Sequence, residues 1–198
     1  ILYQLPPNSH CQMMSYVLQT AEGRLVVIDG GCRPDGEALL RFLEKLGGPR
    51  PTVAAWFLTH AHDDHIGALT ELLEHHREEF TVERILCNLP PLAWTQAVES
   101  VAAHANREHG PLLAAAGDKI AAVSAGERIS VDEMVFRVLR VPDLNLTVNP
   151  LNNSSIVLRL TVEGGRTVLF VGDLGVEAGE ALLRELPPED IRAEVVQM

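Results

Sequence analysis

Strand-like hydrophobic patterns occupy an early and a late stretch of the chain, and segments of helical period follow each. Residues 14–20 alternate apolar and polar, 21–24 (Ala-Glu-Gly-Arg) make a turn, and Leu25-Val26-Val27-Ile28-Asp29 is a buried strand, so residues 1–29 are expected to form a β-meander. Gly30-Gly31 stops it. Apolar positions Ala38, Leu39, Phe42, Leu43 and Leu46 form a helical stripe that Gly47-Gly48-Pro49 closes. A continuous apolar run at 53–58 predicts a strand, residues 66 to about 77 a helix, and 84–88 a short strand. The alanine-rich stretch 92–117 predicts two helices broken near Gly110-Pro111.

The late group repeats the design. Residues 126–131 and 134–139 predict paired strands, and 142–153, polar with no helical period, a loop. Residues 155–162 and 167–171 predict a hairpin over Glu163-Gly164-Gly165. A helix from about 176 to 186 and a strand at 193–198 complete the pattern. Two strand groups, each followed by helices, imply two sheets with helices outside.

Composition narrows the class. With 198 residues, 46% hydrophobic and 22% charged, the chain is expected to be a single domain over 1–198 with a sizeable core. No apolar run approaches the roughly 20 residues that span a bilayer, and no basic-then-apolar leader opens the chain, which begins at Ile1. A formal net charge of -11 disfavours a charge-driven grip on nucleic acid or anionic membrane. The expected partner is a small-molecule or nucleotide-like substrate, which metal ions could hold whatever the surface charge. Cys11, Cys32 and Cys87 are odd in number and widely spaced, so no disulfide framework or zinc pattern is expected from them, and Cys32 reads as a free buried thiol. That usage points to a reducing, cytoplasmic compartment.

The chemistry is concentrated in Thr59-His60-Ala61-His62-Asp63-Asp64-His65, between the strand at 53–58 and the following helix. Residues two apart on an extended segment point the same way, so His60 and His62 suit one cation, and the adjacent Asp64 and His65 a second. Imidazole with carboxylate fits zinc, manganese or iron. Asp29, Asp63 and Thr59 are candidates to hold the free N–H of a ligating histidine, with Asp29 favoured because Asp63 lies where it could cap the helix. His75, His76, His10, His104 and His109 read as surface or loop residues, His10 with the option of lining a pocket.

The run His60-x-His62-x-Asp64-His65 resembles the signature of the metallo-β-lactamase fold superfamily, and the resemblance covers nearly the whole chain. Asp29 in Val-Ile-Asp-Gly-Gly matches the family's aspartate at a strand end beside the metals. Asp173 in Leu-Phe-Val-Gly-Asp-Leu matches its late aspartate, which by that likeness bridges two ions. Asn152-Asn153-Ser154-Ser155-Ile156-Val157-Leu158-Arg159-Leu160 is similar to the hydrolase-like domain of bacterial DNA-uptake (competence) proteins and their stand-alone relatives. The implied fold is α/β: a four-layered α/β/β/α sandwich with two mixed sheets.

Two departures accompany the resemblance. Where many members supply a third histidine, this chain has Asn152, Asn153 and Ser154, harder and weaker donors that imply looser binding or a preference for manganese. The family's final histidine, after the last strand, has no counterpart before Met198, so the chain is expected to continue beyond it and the two-metal site to be partly filled as the sequence stands. The resemblance implies metal ligands His60, His62, Asp64, His65 and Asp173, with catalytic roles for Asp64 and Asp29. Two divalent ions about 3.5–4 Å apart hold a hydroxide and clamp attacking and leaving oxygens. The expected activity is metal-dependent hydrolysis of an ester-type bond by a metal-bound hydroxide, phosphodiester first. The alternatives are lactone, thioester or amide hydrolysis, or a non-catalytic binding module on a degenerate site.

Overall fold

A computed structural model describes residues 1–11, 14–98 and 106–197. His104, part of the alanine-rich stretch, and Met198 lie outside the described residues. The expected meander forms: β1 (Leu2–Gln4), β2 (Ser15–Gln19) and β3 (Leu25–Asp29) pair antiparallel in succession. A 3-10 turn at Arg33–Asp35 leads into α1 (Gly36–Gly47). Then come β4 (Thr52–Phe57), α2 (Asp63–His75), β5 (Thr81–Val82) and β6 (Ile85–Cys87). The first half closes with α3 (Leu92–Val98), α4 (His109–Ala116) and β7 (Ile120–Ala122). β4 lies parallel to β3, and β6 and β7 continue the parallel order, so among the described residues the first sheet runs β1-β2-β3-β4-β6-β7 with β5 paired to β4.

The second half builds the other sheet from β8 (Arg128–Val131), β9 (Met134–Arg140), β10 (Val157–Val162), β11 (Thr167–Phe170) and β12 (Val195–Gln197). Its order is β12-β11-β10-β9-β8, antiparallel except for β12 against β11. A one-turn helix α5 (Pro150–Asn153) occupies the end of the expected loop, and α6 (Val176–Glu185) and α7 (Pro188–Ile191) cross between β11 and β12.

Strand alternation sorts side chains into layers. Leu18, Val26, Ile28 and Phe57 from the first sheet meet Phe136, Val138, Leu158 and Phe170 from the second in one buried cluster. Val17, Val27 and Trp56, on the opposite face, pack under Leu39, Leu43, Ile66 and Leu69 of α1 and α2. Leu139, Val157 and Leu169 on the outer face of the second sheet pack against Leu182 of α6. The result is the α/β/β/α sandwich, with mixed sheets. Its helix α2 lies so close to the turn before α1 that a Cβ on Gly67 would stand 2.6 Å from the Arg33 backbone nitrogen. Among the described residues no helix is long and apolar enough to cross a membrane.

Cys11 and Cys32 form a disulfide across a sequence separation of 21, correcting the expectation of no disulfide and of a free thiol at Cys32. The pairing was hidden because it depends on residues 8–11 folding back on the 3-10 turn. There the buried Asp35 carboxylate accepts from Asn8 N–H (3.0 Å), the Ser9 hydroxyl (3.1 Å) and Cys32 N–H (3.1 Å). The cysteine-based ground for a reducing compartment falls with it.

Candidate metal centre

The centre lies at one rim of the sandwich, where strands of both sheets end or begin. β3 ends on Asp29, which has a left-handed φ of 58°. Such backbone costs an ordinary residue about 1–2 kcal/mol and is tolerated best by glycine, asparagine and aspartate. The Trp56 indole N–H holds the Asp29 carbonyl at 2.8 Å, so the carboxylate turns across the end of β4. There it accepts from Thr59 N–H at 2.7 Å and the Thr59 hydroxyl at 2.8 Å. The Ile156 N–H donates to the Thr59 carbonyl at 2.9 Å, joining the start of β10 to the same corner.

The four predicted histidine and aspartate positions separate into two groups, with Asp173 beside the second. His60 Nε2 and His62 Nδ1 face each other at 3.0 Å. Two imidazole nitrogens on one tetrahedral zinc, with bonds of about 2.0–2.1 Å, stand roughly 3.3 Å apart, so this pair is nearly set for a shared ion. His65 Nε2 lies 3.4 Å from Asp173 Oδ1 and 3.9 Å from Asp64 Oδ2, and it is a buried nitrogen with no hydrogen-bond partner among the described residues. A buried ring nitrogen facing two carboxylates is a donor arrangement that suits a divalent cation. Ligand atoms of His60, His65 and Asp173 all fall within 4.8 Å of one another. The donor set, imidazole and carboxylate without thiolate, fits divalent ions such as zinc or manganese.

Burial, reinforced by His65 and His62, holds the His60 pKa well below the ordinary imidazole value, so its lone pair is free. His65 goes the other way. Burial pulls its pKa down, but the hydrogen bond to Asp29 and the nearby charges of Asp29 and Asp173 outweigh that and raise it to about 10. The neighbouring His65 ring in turn lowers the Asp173 pKa, against the effect of its own burial. His65 Nδ1 lies 2.9 Å from Asp29 Oδ2, which fixes the Nδ1–H tautomer and leaves Nε2 as the metal-facing nitrogen.

Other sequence expectations meet a mixed outcome. Asp63 does not cap its own helix; its carboxylate accepts from Arg107 N–H (2.7 Å) and Glu108 N–H (2.9 Å), tying the segment before α4 to the metal motif. Arg33 bridges the same elements, paired with Glu71 (2.8 Å), Glu74 (2.7 Å) and Glu108 (2.5 Å). His109, expected on the surface, is fully buried against the Thr95 hydroxyl at 3.2 Å. His10 and His75 are exposed, and His76 pairs with Glu79 at 2.6 Å. Two residues near the centre escaped the sequence reading. The Ser155 hydroxyl sits 3.3 Å from His60 Nδ1 and accepts from Asp173 N–H at 3.3 Å. Gln197 grips both sides of Gly172: its Oε1 accepts from Gly172 N–H (2.9 Å) and its Nε2 donates to the Gly172 carbonyl (3.0 Å). A polar residue at the buried position of a strand end was the available signal.

A family model described as the metallo-beta-lactamase superfamily matches residues 10–195. ComE operon protein 3 of Bacillus subtilis (strain 168) is 30% identical over 146 residues, which are 73% of this chain and 16% of that protein. The structure of BJP-1, a subclass B3 metallo-beta-lactamase of Bradyrhizobium japonicum, superposes with a TM-score of 0.57 at 16% identity, covering 93% of this chain and 70% of that one. A Cronobacter sakazakii (Enterobacter sakazakii) metallo-beta-lactamase with a HARLDQ motif gives 0.51 at 15% identity over 80% of this chain and 52% of that one. At such identities the likeness is one of fold. The chain spans a minor part of its curated relative and about half of the second structure.

Proposed function

The chain belongs to the metallo-beta-lactamase superfamily, whose members are mostly metal-dependent hydrolases, and on that footing we propose that this site hydrolyses an ester-type bond, a phosphodiester before others. The observation that carries the reading is the convergence of His60 Nε2 with His62 Nδ1, and of His65 Nε2 with Asp64 and Asp173, at one rim of the sandwich. Two divalent cations bound there would supply Lewis-acid activation of water and positive charge opposite an anionic substrate. That charge is the physical argument for a phosphodiester, because the chain's net charge of -11 would otherwise repel it.

The chain's own groups have separate tasks. His60 and His62 would hold the first cation, and Asp64, His65 and Asp173 the second. Asp29 orients His65 and keeps its Nδ1 proton in place. Asp173, 33% exposed, and Asp64, 28% exposed, stand at the open side, where they meet substrate and exchange protons with solvent. A lactone, thioester or amide offers a similar electrophilic centre, so the test is a substrate panel. Bis-aryl phosphodiesters, lactones and β-lactams are each offered to metal-loaded protein, to chelator-treated protein and to the His60→Ala variant. Phosphodiester turnover lost in the last two supports the proposal. Turnover that survives both removes it, and turnover of lactones alone transfers the site to carboxylic esters.

A further inference from the structure

Four polar side chains between 152 and 155 lie near the centre, and three of them are spent. Asn153 Nδ2 donates to the Val148 carbonyl (2.7 Å) and Glu177 Oε2 (2.9 Å), while its Oδ1 accepts from Ala178 N–H (3.3 Å). The Ser154 hydroxyl donates to the Leu151 carbonyl at 2.6 Å. Ser155 is held between His60 and the Asp173 backbone. Asn152 is different. Its Oδ1 is buried and has no hydrogen-bond partner among the described residues, although the side chain borders the same cavity as Gly172 and Asp173 and stands close enough to act on the His60 ring. Burying an amide oxygen unpaired costs about 1–3 kcal/mol, a cost seldom left uncompensated. His65 Nε2, 3.4 Å from Asp173 Oδ1, likewise has no hydrogen-bond partner among the described residues. A cation would satisfy both, the Asn152 oxygen directly and His65 Nε2 in exchange for its proton.

We infer that Asn152 Oδ1 is the third protein ligand, with His60 and His62, of the first cation. The inference rests on the two-metal reading above and adds a residue to it. Only the oxygen of the amide can serve, because its nitrogen carries protons and offers no lone pair. Two imidazoles with a neutral, hard oxygen favour zinc less strongly over manganese than three imidazoles would. The first site is therefore built for weaker discrimination between the two metals.

Metal-stripped protein is titrated separately with Zn²⁺ and Mn²⁺ by calorimetry, and bound metal is counted after desalting. Asn152→Ala is expected to weaken one of two ions at least about 10-fold and spare the other, since losing even an outer partner of a ligand costs 10–100-fold. Asn152→His is expected to tighten zinc more than manganese, and Asn152→Asp to tighten both. Ser154→Ala, which removes only a bond to a backbone carbonyl, is expected to leave both ions unchanged. Circular dichroism of the metal-free variants checks the fold. If Asn152→Ala does not fold, the zinc-to-manganese affinity ratio of Asn152→His decides, and a wild-type ratio overturns the assignment. Wild-type affinities in Asn152→Ala and Asn152→His would overturn the ligand while leaving two bound ions. A wild-type chain that takes up neither metal would overturn the two-metal reading itself.

Discussion

Replacing Asp29 with asparagine keeps the shape of the corner and reverses one proton. Asparagine tolerates the left-handed φ of 58° at this position, so the strand end survives. In the wild type, Oδ1 accepts from Thr59 N–H at 2.7 Å, and Oδ2 takes the Thr59 hydroxyl at 2.8 Å and His65 Nδ1–H at 2.9 Å. If the amide oxygen keeps Thr59 N–H, an NH₂ group faces His65 Nδ1. The neutral ring then carries its proton on Nε2, the nitrogen 3.4 Å from Asp173 Oδ1. A metal must displace that proton and force a second N–H against the amide. Loss of such an orienting partner typically costs 10–100-fold in metal affinity, or about 1.4–2.8 kcal/mol. Calorimetric titration of metal-stripped wild type and Asp29→Asn with Zn²⁺ and Mn²⁺ reads the difference. In parallel, NMR titration of the metal-free proteins should show His65 falling from about 10 once the carboxylate is neutral. Unchanged affinity together with an unchanged His65 titration would refute the argument, because Asp29 would then be setting neither tautomer nor charge.

Removing metal should lower the melting temperature. A ligand at 100 times its dissociation constant stabilises by about 2.7 kcal/mol, which for a domain of this size is about 5–11 °C by scanning calorimetry with and without chelator; coincident traces would contradict it. Gly172→Ala should destabilise by about 2–4 kcal/mol in urea titration, from overpacking and a left-handed φ of 60°. Its new Cβ would stand 2.8 Å from Ser155 Oγ and 2.9 Å from Thr59 Cβ, and a midpoint shift under 0.5 kcal/mol would show that the corner yields. The metal-free protein should lose stability as pH rises from 6.5 towards about 10, because the His65 pKa is raised on folding above its ordinary 6.5. Its stabilisation is complete below the unfolded value and gone above the folded one. Urea unfolding at intervals across that window checks the sign, and metal affinity should rise over the same window.

The part of the centre that could be read in the sequence is the part held by short-range geometry. His60, His62, Asp64 and His65 lie within six residues between a buried strand and a helix, and the structure brings them to one rim together with Asp173. Asp29 was legible as a strand-end acid before two glycines. The layered fold was legible because apolar alternation repeated in two groups. Contacts closed over long separations were not. Cys11 meets Cys32, Gln197 meets Gly172, and Asp63 meets the backbone at 107–108 only after the chain has folded. β5, β7, α5 and α7 are two to four residues long, too short to repeat a strand or helix period twice. Asp63 was misread because its position at a helix start suggested a local cap, whereas orphan N–H groups from another segment claimed it.

The proton inventory of the corner ties the two halves of the motif together. The Thr59 hydroxyl has one proton, and Asp29 Oδ2 receives it at 2.8 Å. His65 Nδ1 gives its proton to the same carboxylate, so the Thr59 oxygen, 3.2 Å from His60 Nδ1, is left to accept from His60. That places the His60 proton on Nδ1 and its lone pair on Nε2, towards His62, in agreement with a ring that burial keeps neutral. One buried carboxylate therefore sets the tautomers of both histidines, one directly and one through a hydroxyl, and each histidine serves a different cation. Asp29→Asn should accordingly weaken both ions, whereas Asn152→Ala should weaken one. The pair of variants separates a residue that orders the whole centre from a residue that belongs to half of it.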